Sequence, residues 1–280
     1  MERRRRLRCR RMKKAVIGFI IGAALMLFAV KYFPEHITHR DINNQMINAA
    51  LWMRTSAEYR ALCYQAYNTA LERLKAAAKD FKSGDKPIAV ILDCDETVLD
   101  NTAYDSSFID TDKDNSDSAL FYEYQMAGNA KAMPGAEEFL KAVDALSVDI
   151  FYVTNRQERF KEATLQNLKA LDFPQIDNAH VVMKTDTSSK DPRFNTISEI
   201  YNVVVYLGDS MHDFKLGIYG KNMTDRNTIT DKNRTLFGVK YIVLPNPMYG
   251  SWRGAYADGY RNMSLDDRHK ADMKALNHMP

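Results

Sequence analysis

Five uninterrupted apolar residues, Ile88-Ala89-Val90-Ile91-Leu92, run directly into the acidic string Asp93-Cys94-Asp95-Glu96. A short apolar run that ends in a polar turn predicts a strand buried on both faces, as in parallel sheets. Similar runs recur at residues 148–153, 180–183, 201–207 and 240–244. The segments between them have helical spacing. Residues 41–82 form the longest, where Thr55 and Glu58 have capping-box spacing and Tyr59, Leu62, Cys63, Ala66, Tyr67, Ala70, Leu71 and Leu74 share one face. Phe139, Leu140, Val143 and Leu146 mark a second helix after Pro134-Gly135, residues 157–171 a third, and residues 264–280 a charged terminal one. Alternating strands and helices predict an α/β fold with a parallel sheet, whose ligands bind at the carboxyl ends of the strands.

Composition alters this picture mainly at the amino terminus. Residues 1–14 carry nine Lys or Arg and one acid, so the net charge of +3 leaves about −5 on the rest of the chain. A mildly acidic body argues against a nucleic-acid polymer as partner. Directly after the basic block, residues 15–30 contain no charge. That layout predicts an export signal, favoured here as a retained signal anchor over residues 1–33 with the remainder, 34–280, outside the cytoplasm (periplasmic or at the cell surface); the rival is a cleaved signal and a secreted product. The three cysteines, Cys9, Cys63 and Cys94, have neither disulfide nor zinc spacing.

The candidate chemistry sits where apolar runs end. On an extended chain, Asp93 and Asp95 emerge on one side and Cys94 on the other. Two neighbouring carboxylates repel unless a cation lies between them or one keeps a proton. The plain alternative is a charged turn after a core strand. The run at 148–153 ends in Thr154-Asn155-Arg156, which offers a hydroxyl and backbone N–H groups to a phosphate or merely caps a helix. Lys184 and Lys190 flank a polar loop, and an ammonium there would neutralise a phosphoryl group. The run at 201–207 ends in Gly208-Asp209-Ser210-Met211-His212-Asp213-Phe214, where Asp209 and Asp213 either cap a helix or complete an oxygen-rich site for a hard cation. His212 is a weaker acid-base candidate. Tyr249 and Trp252, in the Pro- and Gly-containing turn after the last run, either stack on a base or pack in the core. Residues 102–133 are loop-rich, and Asp105, Asp110, Asp112, Asp114 and Asp117 there lack EF-hand spacing, which leaves a solvated loop as the better expectation than a calcium site.

The string Asp93-Cys94-Asp95-Glu96-Thr97-Val98-Leu99-Asp100-Asn101-Thr102-Ala103-Tyr104 resembles the class C acid phosphatases, the lipoprotein e(P4) type of 5'-nucleotidase, within the haloacid dehalogenase (HAD) superfamily. Cys94 departs from the Leu or Ile usual there, and Ser210 and Met211 depart from the second signature of that family. No lipid-attachment cysteine follows the apolar run. The resemblance implies a HAD-type Rossmann-like parallel sheet with flanking helices, a helical N-terminal extension at 41–82 and a small cap inserted after the first strand at 102–133. It implies Asp93 as nucleophile, Asp95 as acid and base, Thr154, Asn155 and Lys190 on the phosphate with Lys184 as the fallback, and Mg²⁺ on Asp93, the Asp95 carbonyl and Asp209, with Asp213 orienting the site. Tyr104, Tyr249 and Trp252 would stack on a nucleobase. The implied substrate is a small phosphomonoester, a nucleoside 5'-monophosphate, hydrolysed at low pH through an aspartyl phosphate. Sugar phosphates, phosphotyrosine and an inactive membrane-anchored binding or adhesion protein remain as alternatives, and a homo-oligomer is left open.

Overall fold

The computed structural model describes residues 12–20, 22 and 36–277. The chain divides into two units, Met1–Ile37 and Thr38–Pro280. In the first, residues 12–20 and 22 are helical. Most of the expected signal anchor lies outside the described residues, and among those described no helix is long and apolar enough to cross a membrane.

The second unit begins with three helices, α1 (His39–Asn44), α2 (Ile47–Thr55) and α3 (Ala57–Asp80). The expected cap of the long helix moves by one residue. Thr55 turns its hydroxyl back to the Leu51 carbonyl at 2.6 Å, while Ser56 adopts an extended backbone and accepts the Tyr59 N–H at 3.1 Å. Of the face read from the sequence, Tyr59, Cys63, Ala66, Tyr67, Ala70 and Leu74 are buried, and Leu62 is exposed.

β1 (Ile88–Leu92) follows, then the short β2 (Leu99–Asp100), α4 (Thr102–Ser106), α5 (Ser118–Ala127) and β3 (Lys131–Ala132). β2 and β3 pair antiparallel, so the inserted segment leaves and rejoins the body through one narrow ribbon. The acidic run within it is tied to α1: Arg40 lies 3.6 Å from Asp110 and 3.4 Å from Asp112, and the Asn43 amide donates to the carbonyls of Thr111 and Lys113. Exposed pairs like these contribute little individually and hold a loop rather than an ion.

The remaining elements are α6 (Ala136–Asp144), β4 (Asp149–Gln157), α7 (Lys161–Ala170), β5 (Val181–Lys184), α8 (Asp191–Ile200), β6 (Asn202–Gly208), α9 (Met223–Lys232), β7 (Tyr241–Val243) and α10 (Leu265–Asn277). Five strands form a parallel sheet in the order β5-β4-β1-β6-β7. β1 is central and buried throughout because helices cover both faces. Alternation along it sends Val90 and Leu92 into the core shared with α3 and α6, and Ala89 and Ile91 into the core shared with Phe194 and Ile197 of α8. Burying each large aliphatic side chain there contributes about 1.5–3 kcal/mol. The sheet thus fixes where the β1 and β6 ends lie, side by side.

Candidate active site

Asp93 leaves β1 with its backbone N–H donating to the Leu207 carbonyl of β6 at 3.0 Å, which ties the first acid to the neighbouring strand end. A tight turn follows. The Cys94 carbonyl accepts the N–H groups of Val98 and Leu99, at 2.9 and 2.8 Å, and the Cys94 side chain is buried. Glu96 holds this turn with φ +51, a strained value for a residue with a side chain. It is compensated locally, since Glu96 Oε1 accepts the Asn101 N–H at 2.8 Å and Oε2 accepts the Asn101 amide at 3.2 Å. From below, the Tyr67 hydroxyl donates to the Thr97 carbonyl, and the Tyr59 hydroxyl reaches Met133 Sδ at 3.2 Å. The buried face of α3 therefore supports the turn that carries the acids.

Carboxylate oxygens of Asp93, Asp209 and Asp213 lie within 4.8 Å of one another. Lys190, at the N-terminal end of α8 and nearly inaccessible, donates to Asp93 Oδ1 at 2.5 Å and to Asp213 Oδ1 at 2.6 Å. One ammonium does not neutralise three clustered acids. Burial pushes Asp93 up to about 7, Lys190 pulling it back and Asp213 and Asp95 pushing it further. Burial, then Asp213 and Asp93, raise Asp209 well above the carboxylate range. Carboxyls forced toward the protonated form by each other are the donor set that suits a hard divalent cation. Lys184, the alternative lysine, donates instead to Ser188 Oγ at 3.1 Å.

Asp213 is placed by a tight turn. The Ser210 N–H donates to Asp213 Oδ2 at 2.9 Å, and the Asp213 side chain folds back over Gly208. A Cβ on Gly208 would overlap the Asp213 carboxyl group, backbone-anchored on one side and held by Lys190 on the other. Gly208→Ala is therefore expected to cost about 1–3 kcal/mol of stability and, by displacing Asp213, to weaken divalent-cation activation. Denaturant midpoints and a cation titration of turnover check both; a variant with parental cation dependence would remove Asp213 from the site.

Asp95 has different company. Arg156, at the end of β4 and also nearly inaccessible, places Nη2 2.6 Å from Asp95 Oδ1 and Nε 3.1 Å from each carboxylate oxygen. Asn101 Nδ2 donates to the same Oδ1 at 2.8 Å. Burial alone would raise this carboxyl, but Arg156 and Asn101 outweigh it and hold Asp95 below the usual carboxylate range. The protonated form needed of an acid is thus scarce at neutral pH and gains population as pH falls.

The other residues singled out from the sequence divide. β4 runs through Gln157 instead of ending at Val153, because its register with β5 shifts between Val153 and Gln157. Thr154 therefore does not begin a helix. It is buried, and its Oγ1 accepts the Arg156 N–H at 3.1 Å, which leaves the hydroxyl proton available. The Asn155 side chain is spent on the protein: its Nδ2 donates to the Ser188 carbonyl at 3.0 Å and its Oδ1 accepts from Arg193 at 2.7 Å. Arg193 also donates to the carbonyls of Thr154, at 2.6 Å, and Ser189, at 3.3 Å, so one guanidinium joins the last residues of β4 to the loop before α8. Burial and the neighbouring Arg226 push His212 down to about 4. Arg226 lies 3.2 Å from His212 Nε2, which as its only role toward a guanidinium accepts. A neutral histidine so engaged is poorly suited to proton transfer.

Tyr104 stacks on Tyr124 at a centroid distance of 4.3 Å and meets Phe108 and Phe121 at 5.1 and 6.0 Å. Tyr249 packs partly against the main core, and the exposed Trp252 donates its indole N–H to the Tyr249 carbonyl at 3.1 Å. This second aromatic loop reaches the acids through polar contacts: Asn246 donates to Asp209 Oδ2 at 2.8 Å, and the hydroxyls of Ser251 and Ser210 lie 3.1 Å apart. Arg156, Asn101, Arg193 and Asn246 were not assigned roles from the sequence. Arg156 and Asn101 lie within the quoted strings, yet nothing in their spacing names their partners.

A parallel α/β sheet whose central strand ends feed buried aspartates and a lysine defines a HAD phosphatase. The chain belongs to the family described as HAD superfamily, subfamily IIIB (acid phosphatase), which it matches over residues 30–252. It is a phosphomonoester hydrolase. Two solved structures of the class C acid phosphatase from Bacillus anthracis are similar to it, one of them with tungstate bound. Each is 33% identical, superposes with a TM-score of 0.80, and covers 85% of this chain and 99% of its own. The alternative of an inactive binding scaffold gives way to this membership.

Proposed function

We propose that the chain is a Mg²⁺-dependent acid phosphatase for nucleoside 5'-monophosphates that works through an aspartyl phosphate. The observation that carries the reading is Lys190, held between Asp93 and Asp213 in a cluster with more negative charge than one ammonium balances. Asp93, Asp209 and the Asp95 carbonyl would hold the cation, with Asp213 beside them. When bound, it would offset the charge of the carboxylates and of a phosphoryl group. Tungstate is a tetrahedral oxyanion like phosphate, and its presence in the Bacillus anthracis protein supports an oxyanion site here.

In the proposed reaction, a carboxylate oxygen of Asp93 attacks phosphorus in line with the ester oxygen. The phosphorus–oxygen bond to the alcohol breaks, and the departing oxygen takes a proton from Asp95. Asp95, now ionised, accepts a proton from a water whose oxygen attacks phosphorus and frees Asp93 and inorganic phosphate. Lys190 and the Thr154 hydroxyl serve the remaining phosphate oxygens, with Arg193 tying the end of β4 to the loop before α8. Tyr104, Tyr249 and the exposed Trp252 would offer their rings to a base.

Chelation is expected to abolish turnover and Mg²⁺ to restore it, and Mg²⁺ is expected to raise the melting temperature more at pH 7 than at pH 5. The sign follows from Asp93 at about 7: as pH falls through that value, protons compete with the cation. A panel of nucleoside, sugar and tyrosine monophosphates at acid pH tests the substrate. Full activity after exhaustive chelation would sink the metal, and a preference for sugar phosphates would sink the nucleotide.

A further inference from the structure

The carboxyl group of Asp95 is held unevenly. Oδ1 receives Arg156 Nη2 at 2.6 Å, Asn101 Nδ2 at 2.8 Å and Arg156 Nε at 3.1 Å, whereas Oδ2 receives only Arg156 Nε, at 3.1 Å. Oδ1 is saturated with donors. Oδ2 is the oxygen with free capacity to carry a proton. Asn101 is in turn engaged from the inserted segment: the Tyr124 hydroxyl of α5 donates to Asn101 Oδ1 at 2.6 Å. Both hydrogens of the Asn101 amide point at carboxylates, Asp95 and Glu96, so its oxygen faces Tyr124. Tyr124 is itself located by its stack on Tyr104.

We propose that Tyr124 is a positioning residue: through Asn101 it fixes the rotation of the Asp95 carboxyl group, so that Oδ2 presents its proton to the leaving oxygen, and it thereby makes proton delivery depend on the seating of the inserted segment. The inference rests on the reading of Asp95 as the acid. In the step concerned, the bond from Asp93 to phosphorus forms as the ester bond breaks, and the proton on Asp95 Oδ2 passes to the departing oxygen to give a neutral alcohol. Without the Tyr124 hydroxyl, Asn101 Oδ1 loses its donor, and the amide that anchors Asp95 Oδ1 is free to shift. Arg156 then carries more of the restraint, and because its Nε lies 3.1 Å from both oxygens it distinguishes Oδ1 from Oδ2 only through Nη2. Poor leaving groups need the proton; good ones depart as anions.

The leaving group therefore separates positioning from ordinary support. The full chain with saturating Mg²⁺ is assayed as kcat/KM, which reports the first chemical step, on p-nitrophenyl phosphate and on an alkyl phosphate such as glycerol phosphate. Tyr124→Phe keeps the ring stack on Tyr104 and removes only the hydroxyl. It is expected to lower the p-nitrophenyl reaction roughly threefold and the alkyl reaction roughly thirtyfold or more, within the range general acid catalysis contributes. Asp95→Asn should show the same selectivity, more steeply. If Tyr124→Phe lowers both reactions in the same proportion, or neither, the positioning role is overturned while a steep Asp95→Asn profile leaves the acid in place. If Asp95→Asn itself shows no selectivity, the acid reading falls and takes the inference with it.

Discussion

Asp93→Asn is expected to lose turnover of every phosphomonoester by on the order of 10⁴-fold or more, because an amide oxygen is no nucleophile toward phosphorus. The same variant is expected to keep, or slightly raise, the melting temperature. Burial and the neighbouring acids push Asp93 up to about 7 despite the lysine beside it, so the native state carries unfavourable negative charge at this position. An asparagine has the same shape without that charge, and Lys190 keeps its second partner, Asp213, at 2.6 Å. Loss of activity with retained stability distinguishes chemistry from folding. Steady-state kinetics with p-nitrophenyl phosphate, alongside circular dichroism and thermal melts, make the comparison; turnover within tenfold of the parent would remove Asp93 as the nucleophile.

Asp93 and Asp209 were legible in the sequence for one physical reason: Asp93 follows an apolar run directly and Asp209 follows one after Gly208, and such runs become adjacent strands of one sheet. The lysine was legible only as a choice. Lys184 and Lys190 flank the same polar loop, and it is Lys190, at the start of α8, whose ammonium reaches Asp93 and Asp213, while Lys184 ends β5 and bonds to Ser188. Arg156 and Asn101 could not be assigned, since a polar residue at a strand end carries no periodicity that names its partner; Arg156 meets an acid 61 positions earlier in the chain. Asn246, in the turn after β7, is equally silent until β7 is paired beside β6. The acidic run at 110–114 resembled a solvated loop, and its attachment to α1 through Arg40 spans some seventy residues, beyond any local pattern. Thr154 was expected where a strand gives way to a helix; instead β4 runs past it with a register shift against β5, and such shifts depend on the neighbouring strand.

Lys190→Met is expected to damage both stability and activity, in contrast to Asp93→Asn. The methionine fills similar volume, but removing the ammonium leaves the carboxylates of Asp93 and Asp213, both tucked inside the protein, without their shared cation. Breaking a buried pair in this way costs about 3–5 kcal/mol. The deficit should itself depend on pH. For Asp93 the folded value in the parent already stands at about 7 against an ordinary 3.8, and loss of the lysine removes what pulls it back. A raised folded value means the native state binds protons more tightly than the unfolded state, so stability falls as pH rises above about 4 and recovers on acidification. Denaturation midpoints of Lys190→Met should therefore lie closer to the parent at pH 5 than at pH 7. Activity should fall by about 10²–10³-fold at either pH, since the developing phosphoryl charge has lost a fixed donor. Added Mg²⁺ should recover part of the stability, because a divalent cation bound at the proposed site would replace charge that the lysine supplied, yet on the proposed role of Lys190 toward the phosphate it should not recover the rate. A variant whose stability deficit is the same at both pH values would show that Lys190 contributes packing instead of charge.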